Sequence, residues 1–250
     1  MMNFFRTIPA SLEESARIDG ANDITIFFKI IIPVSMPIIA TIALFNGVGG
    51  GAAALVALLE LSHSNSPWSA LAVAFTVLVG AVSFSGSCIT FAKLQELMPT
   101  RPIVFPGQPV VMGLVLAGAL VSGGFVVATG SFVAVLVLLA LGLATGVLLV
   151  LPVGGADVPI VISLLNAFTG LTVAASGLVL GNILLLVAGT LVGASGTILT
   201  RAMASAMGRS VTGIIFGAFK GGSTAGSTTV SDRPVRSSSA EDVAILLGYA

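Results

Sequence analysis

The sequence predicts an all-α fold, a polytopic membrane helix bundle with about six transmembrane helices. The ten Lys and Arg residues leave long stretches between them with almost no charge. Hydrophobic residues make up 56% of the chain and charged residues 8%, and the mean hydropathy is +1.13, which is far from ordinary soluble domains. Since ~20 apolar residues span the hydrocarbon layer, six stretches are long enough to cross it: residues 38–60, 68–93, 110–128, 131–151, 157–180 and 183–207.

The distribution of basic residues predicts how these helices are oriented. If the first helix enters from the cytoplasm, every Lys and Arg lies on the cytoplasmic side, and the opposite connections at 61–67, 129–130 and 181–182 contain none. We therefore expect a multi-pass membrane protein in contact with the lipid bilayer, with both termini in the cytoplasm. The net charge of zero argues against a nucleic-acid partner, and the lone Cys88 argues against a disulfide framework or a cysteine-based metal site.

The first 37 residues predict a helical segment outside the bilayer. Acidic residues interrupt any apolar run there, so the segment does not resemble a signal peptide. Ser11 followed by Glu14 fits a capping box at a helix start. Pro33 and Pro37 then mark the approach to the first membrane helix.

Small and polar residues recur every three or four positions in four of the six predicted helices, which places them on single helix faces. Such faces let membrane helices approach closely and bond across the contact. The fourth helix is mostly Val and Leu, which predicts a lipid-facing position. The four stripes are Asn46, Gly50, Ala53, Ala57 and Glu60; Thr76, Gly80, Ser83, Ser87 and Thr90; Ser163, Asn166, Gly170, Ala174 and Gly177; and Gly189, Gly193, Gly196 and Thr200.

Two amide side chains, Asn46 and Asn166, fall inside predicted membrane helices. An unpaired amide in hydrocarbon costs several kcal/mol, so both need partners. One interpretation is bonding between helices, at ~1 kcal/mol per bond. The other is a hydrated polar file through the bundle, in which Asn46, Ser87 and Asn166 hold waters that relay protons.

Charged residues near the ends of the last two membrane helices also have two interpretations. Asp157 lies between Gly154-Gly155 and Pro159, where its carboxylate could cap the fifth helix and complement its dipole. Arg209, followed by Ser210, could anchor the end of the sixth helix. The run from Gly221 to Ser239 has the composition of a flexible linker.

Residues 1 to about 46 carry a first family resemblance. The strings FFRTIPASLEESARIDGA and FFKIIIPVSMPIIATIALFN resemble the EAA loop of sugar-importing ABC permeases. The resemblance implies that residues 1–37 form a cytoplasmic segment that docks into an ABC ATPase through Glu14 and Gly20. A sugar-importer permease is therefore one alternative function for the chain.

From about residue 43 to residue 250 the chain resembles the beta subunit of proton-translocating NAD(P) transhydrogenase. The resemblance lies in ALFNGVGGGAAALVALLE, GAVSFSGSCITFAKLQELM, GGADVPIVISLLNAFTGL and LVGASGTILTRAMASAMGRS. It implies that residues 38–208 form the proton-translocating bundle, and that residues 209–250 form a cytoplasmic linker and the start of a truncated NADP-binding domain. Asn46, Ser87 and Asn166 would then lie on the proton path, and Asp157, Arg209 and Ser210 would contact the nucleotide-binding domain.

The same resemblance implies partners and cofactors. We expect an alpha subunit, a homo-oligomer of alpha–beta units, and the bacterial inner membrane. NAD and NADP would bind in the complete complex, which transfers hydride from NADH to NADP, and neither would bind to this chain, which lacks a strand, Gly-rich turn and helix in that order. Family members often carry His where this chain has Asn46, and an amide does not titrate. We therefore expect the titrating group to come from the alpha subunit.

The string Ala43-Leu44-Phe45-Asn46-Gly47 suits both families. The sequence therefore predicts a junction near residue 46, and the second alternative is a chimeric fragment without function. Whether the chain takes part in an enzyme depends on domains that it does not itself supply.

Overall fold

The computed structural model describes residues 9–26, 30–61, 66–154 and 157–217. Within these ranges the regular structure is helical. The linker prediction for residues 221–239 and the truncated domain up to residue 250 lie outside the described residues. The helices are α1 Ala10–Ile18, α2 Asp23–Ile26, α3 Ile32–Glu60, α4 Pro67–Leu94, α5 Gln108–Thr129, α6 Phe132–Val150, α7 Val158–Val179, α8 Ile183–Ala206 and α9 Val211–Gly217.

The six predicted membrane helices are confirmed as α3 to α8, each long and apolar enough to cross a bilayer. The ends agree within a few residues, and the largest difference is at the first helix, whose membrane span begins at Val34. This helix continues without interruption past Asn46 and Gly47 to Glu60. The backbone is therefore helical and continuous across the predicted sequence junction.

Polar caps define several helix starts at the end of the bundle that lacks basic residues. The Ser66 side chain accepts from the Ser69 amide at 3.2 Å in a capping box, and Asn182 accepts from the Leu185 amide at 3.2 Å. These bonds satisfy orphan N–H groups of α4 and α8. The predicted capping box at Ser11 is wrong, because α1 begins one residue earlier and no side chain caps it.

Helices α4 and α7 form the middle of the bundle. Helix α4 packs against α3, α5, α6 and α7, and α7 packs against α3, α4 and α8. In each of these two helices, 61% of the most apolar 18-residue stretch is buried, compared with 17% in α5 and 22% in α8. Polar groups on α4 and α7 are therefore held farther from lipid than those on the outer helices.

The lipid-facing position predicted for the fourth membrane helix, α6, holds for only one face of the helix, on which Val133 is 68% exposed; the other face packs on α4. A Cβ added at Gly142 would lie 2.8 Å from the Ala81 Cβ, and one added at Gly146 would collide with Ser85 and the Val82 carbonyl. Val135 is fully buried on the same helix. The two glycines allow α6 to pack closely on α4, whereas its Val and Leu content, averaged over all faces, indicated exposure to lipid.

The predicted small-residue faces of α7 and α8 do pack together. The Cβ position of Gly170 is occupied by backbone at Gly193, and that of Gly189 by backbone at Ala174. The Thr200 hydroxyl donates to Ser163 Oγ at 3.0 Å across the same contact. Close backbone approach and interhelical bonding therefore occur along one seam.

Candidate functional site

Asn46 and Asn166 line one cleft of about 460 Å³ between α3, α7 and α8. The cleft lies in the half of the bundle nearer the end that carries Lys93, Arg101 and Arg209, which we call the basic end. The Ser163 hydroxyl group belongs to a residue that also lines this cleft. The apolar lining comes from Ile31, Met36, Ile39, Ile42, Ala43, Leu94, Pro159, Ile162, Leu199 and Met203.

The two amides face this cleft half-buried. No hydrogen bond joins either side-chain amide to another residue in the part of the chain that the structure describes. Each amide can donate two hydrogen bonds and accept two. The arrangement therefore leaves both groups available to water or to a partner entering the cleft, in place of a direct bond between helices.

Ser87, the third residue of the predicted file, lies beside the cleft and does not line it. It is 1% exposed, and a Cβ added at Gly47 would lie 2.6 Å from the Ser87 Cβ. Its hydroxyl oxygen has no hydrogen-bond partner among the described residues. Ser87 thus borders the α3 residue that follows Asn46, across the contact between α3 and α4.

A hydroxyl pair at mid-height of the bundle was missed by the sequence reasoning. The Ser83 and Thr169 hydroxyl oxygens lie 2.5 Å apart. Ser83 Oγ also lies 3.0 Å from the Leu165 carbonyl oxygen, and Thr169 Oγ1 lies 3.3 Å from the backbone carbonyl oxygen of Asn46. Since each hydroxyl has one proton to donate, the two hydroxyls share two protons among these three contacts. The sequence signal for this pair was the recurrence of Thr169, Thr172 and Ser176 on a second face of α7, distinct from the small-residue stripe.

Lys93 lies at the end of α4 and is 1% exposed. Its sequence context had indicated no specific role for it. Its ammonium donates to the carbonyls of Val150 at 3.1 Å, Leu151 at 2.6 Å and Val153 at 2.8 Å. The three donors of the group are matched by three acceptors. The charge complements the C-terminal end of the α6 dipole and ties α4 to the connection that leads to α7.

Asp157 and Arg209, which were predicted separately, come together at the basic end. The Asp157 Oδ1 lies 3.5 Å from the Arg209 Nε, and the Asp157 side chain is 3% exposed. Asp157 occupies the N-cap position of α7, as predicted, and its carboxylate lies at the positive end of the helix dipole, but it makes no side-chain capping bond. Ser210 is exposed, and its Oγ accepts from the Gly213 amide at 2.9 Å at the start of α9.

The two predicted docking residues of the N-terminal segment are exposed and separate from the cleft. Gly20 has φ +82 just beyond α1, where a left-handed conformation ends a helix and favours glycine. Glu14 lies on the solvent side of α1. Nearby, the Arg17 guanidinium lies 2.8 Å from a carboxylate oxygen of Glu13 and 2.9 Å from one of Asp23. These acidic neighbours raise the pKa of Arg17, and the hydrogen bond to Glu13 has the largest effect.

Comparison with known proteins gives two matches of different extent. The sequence profile of the NAD(P) transhydrogenase beta subunit family matches residues 20–250. The chain is 38% identical over 238 residues to NAD(P) transhydrogenase subunit beta of Rhodospirillum rubrum, covering 90% of this chain and 51% of that protein. It thus spans about half the length of this curated relative.

A second, shorter similarity is to the polygalacturonan/rhamnogalacturonan transport system permease protein YtcP of Bacillus subtilis. The identity is 55% over 64 residues, which is 26% of this chain and 22% of that permease. This similarity extends over more residues than the 46 at the start of the chain that resemble a permease. The family profile in turn begins at residue 20, inside that stretch.

Proposed function

Because the chain belongs to the NAD(P) transhydrogenase beta subunit family, we propose that it forms the proton-translocating membrane part of such a subunit. The observation that carries the proposal is the shared cleft of Asn46 and Asn166, whose amides have no partner among the described residues. A pair of unbonded amides at this depth is costly in a dry site. Water in the cleft would satisfy both amides and carry protons between them.

The proton route begins at the basic end and reaches mid-height. From the cleft, the next polar groups are the Ser83 and Thr169 hydroxyls, which contact the Asn46 backbone carbonyl through Thr169. Ser87 borders the same level from α4. Each hydroxyl can both accept and donate a proton, as relay along a chain of hydrogen bonds requires. Neither amide titrates, so we place the titrating group on a membrane helix of the alpha subunit, facing the cleft.

Coupling to the rest of the complex would run through the basic end. Asp157 begins α7, the helix that also carries Asn166, and α8, whose Met203 lines the cleft, leads to Arg209. A change at the cleft that moves α7 relative to α8 would alter the Asp157–Arg209 pair, 3.5 Å apart in this state. We propose that this pair, with the exposed Ser210, reports the proton state to the nucleotide-binding domain.

The chain spans about half the length of its Rhodospirillum rubrum relative, so nucleotide-binding domains can belong to the remainder of a complete complex. We therefore assign NAD and NADP, with hydride transfer from NADH to NADP, to other parts of the complex. We place the basic end in the cytoplasm of a bacterium, with the bundle in the inner membrane and the alpha–beta units paired as a dimer.

A sugar-importer permease is the second candidate, and the 55% identity over 64 residues favours it. In that case Glu14 and Gly20 would dock an ABC ATPase. The six-helix bundle then has no assigned role, whereas the transhydrogenase family accounts for residues 20–250. Co-purification of the tagged chain separates the two candidates, because a transhydrogenase alpha subunit supports the first and an ATPase supports the second.

A graft tests the proposed function directly. Residues 20–250 replace the matching segment of the Rhodospirillum rubrum beta subunit, and proton movement during hydride transfer is followed with a pH-sensitive dye in membrane vesicles. We expect proton movement coupled to hydride transfer. Asp157→Asn in the same graft should slow coupled turnover about tenfold, the rate equivalent of about 1.4 kcal/mol lost with the Asp157–Arg209 ion pair. An assembled graft that transfers hydride without moving protons would refute the proposal.

A further inference from the structure

Helices α4 and α7 pack with an antiparallel register that can be followed residue by residue. Ser83 lies opposite Thr169, with their hydroxyls 2.5 Å apart. One turn farther from the basic end, a Cβ added at Gly80 would lie 3.1 Å from the Thr172 Cγ2. The next helical turn brings Thr76 on α4 and Ser176 on α7 to the same level, because each lies four residues beyond the Gly80–Thr172 contact.

Both of these side chains are buried and unsatisfied. Thr76 is 0% exposed and Ser176 is 4% exposed, and neither hydroxyl oxygen has a hydrogen-bond partner in the described ranges. Half of the Ser and Thr hydroxyls in α3 to α8 bond the carbonyl four residues earlier. Thr172 does so, donating to the Phe168 carbonyl at 2.8 Å. Thr76 and Ser176 therefore differ from their neighbour in lacking the local bond that would make a dry site tolerable.

Two buried, unpaired hydroxyls at one level need a small polar ligand. A water molecule fits this chemistry, because buried waters bond about three otherwise unsatisfied polar groups. A charged or larger ligand does not, since Val73 and Val77 on α4 are buried beside Thr76 and supply no polar group.

We propose that Thr76 and Ser176 hold a buried water that extends the polar column from the Ser83–Thr169 pair toward the end without basic residues. This inference rests on the proposed function for its role, since the water would form the outer half of the proton route. The hydration site itself rests only on the register and on the two unpaired oxygens.

Water-edited solid-state NMR of the 250-residue chain in lipid bilayers tests the hydration site. We expect magnetisation to pass from water to Thr76 and Ser176 and not to Thr145, which is also buried but bonds the Leu141 carbonyl at 2.8 Å. Thr76→Val should abolish the transfer to Ser176, and Ser176→Ala should abolish the transfer to Thr76. The control Thr172→Val should leave both. If the unsubstituted chain shows no transfer from water to Thr76 and Ser176, as at Thr145, the proposal is overturned.

Proton flux during hydride transfer tests the role, measured with a pH-sensitive dye in membrane vesicles that hold the grafted subunit assembled with the alpha subunit, on which the titrating group is placed. Thr76→Val and Ser176→Ala should each slow the flux about tenfold, the rate equivalent of one lost hydrogen bond, and Thr172→Val should not. Unchanged flux in both variants would overturn the role. An assembled wild-type graft that transfers hydride without proton flux would count against the proposed function, whereas the NMR transfer decides the hydration site independently.

Discussion

Asn166→Leu is expected to abolish proton-coupled turnover while the subunit still assembles. Leucine has the same branching and the same number of side-chain heavy atoms as asparagine and is more favourable in hydrocarbon, so the fold is retained. The substitution removes one of the two amides that line the cleft and leaves its water without an amide donor and acceptor on α7. Since positioned proton transfer contributes about 100-fold or more to rate, we expect a loss of at least roughly that size.

The measurement uses the vesicle assay of the grafted subunit, with assembly checked by co-purification of the alpha subunit. Ile162→Leu is the matched control, because Ile162 lines the same cleft with an apolar side chain. It should leave coupled turnover unchanged. Normal coupling in an assembled Asn166→Leu variant would remove Asn166 from the route.

Gly189→Ala is expected to separate α7 from α8. The added methyl group would overlap the backbone at Ala174 and the Gly170 carbonyl, and backbone cannot move aside as a flexible side chain can. Overpacking of this kind costs about 3 kcal/mol, while alanine itself favours the helix by about 1 kcal/mol. The net result should be a loss of about 2 kcal/mol in the free energy of unfolding, measured by denaturant titration in mixed micelles.

Gly124→Ala provides the control for this substitution. Gly124 lies in the middle of α5, and a Cβ added there meets no heavy atom within 4 Å. The same change should therefore be neutral or slightly stabilising. If both variants shift stability in the same direction, close packing does not determine the α7–α8 contact.

The positions of the membrane helices could be predicted because length and hydropathy depend on composition along the chain, and the bilayer fixes the length required. The small-residue stripe of α7, with Gly170 at its centre, was predictable for a similar reason, because period alone places these residues on one face. The caps at Ser66 and Asn182 were not predicted, because these residues lie in the short connections, whereas the helix positions were predicted from the apolar stretches.

The pairing of faces could not be predicted, because a single sequence does not state which helix lies opposite which. Thr169 acquires its place only when α4 brings Ser83 within 2.5 Å. Lys93 was counted as one more basic residue at the membrane surface, whereas the end of α6 buries it among three carbonyls. The buried face of α6 was not predicted because Gly142 and Gly146 contribute little to its composition but decide its contact with α4.

The most direct test of the proton route is a density map of the chain in a lipid bilayer, at a resolution that shows ordered water. We predict water oxygens in the cleft at about 2.7–3.2 Å from the side-chain amides of both Asn46 and Asn166. A cleft closed by repacked side chains, with the two amides bonded to protein alone, would contradict the account.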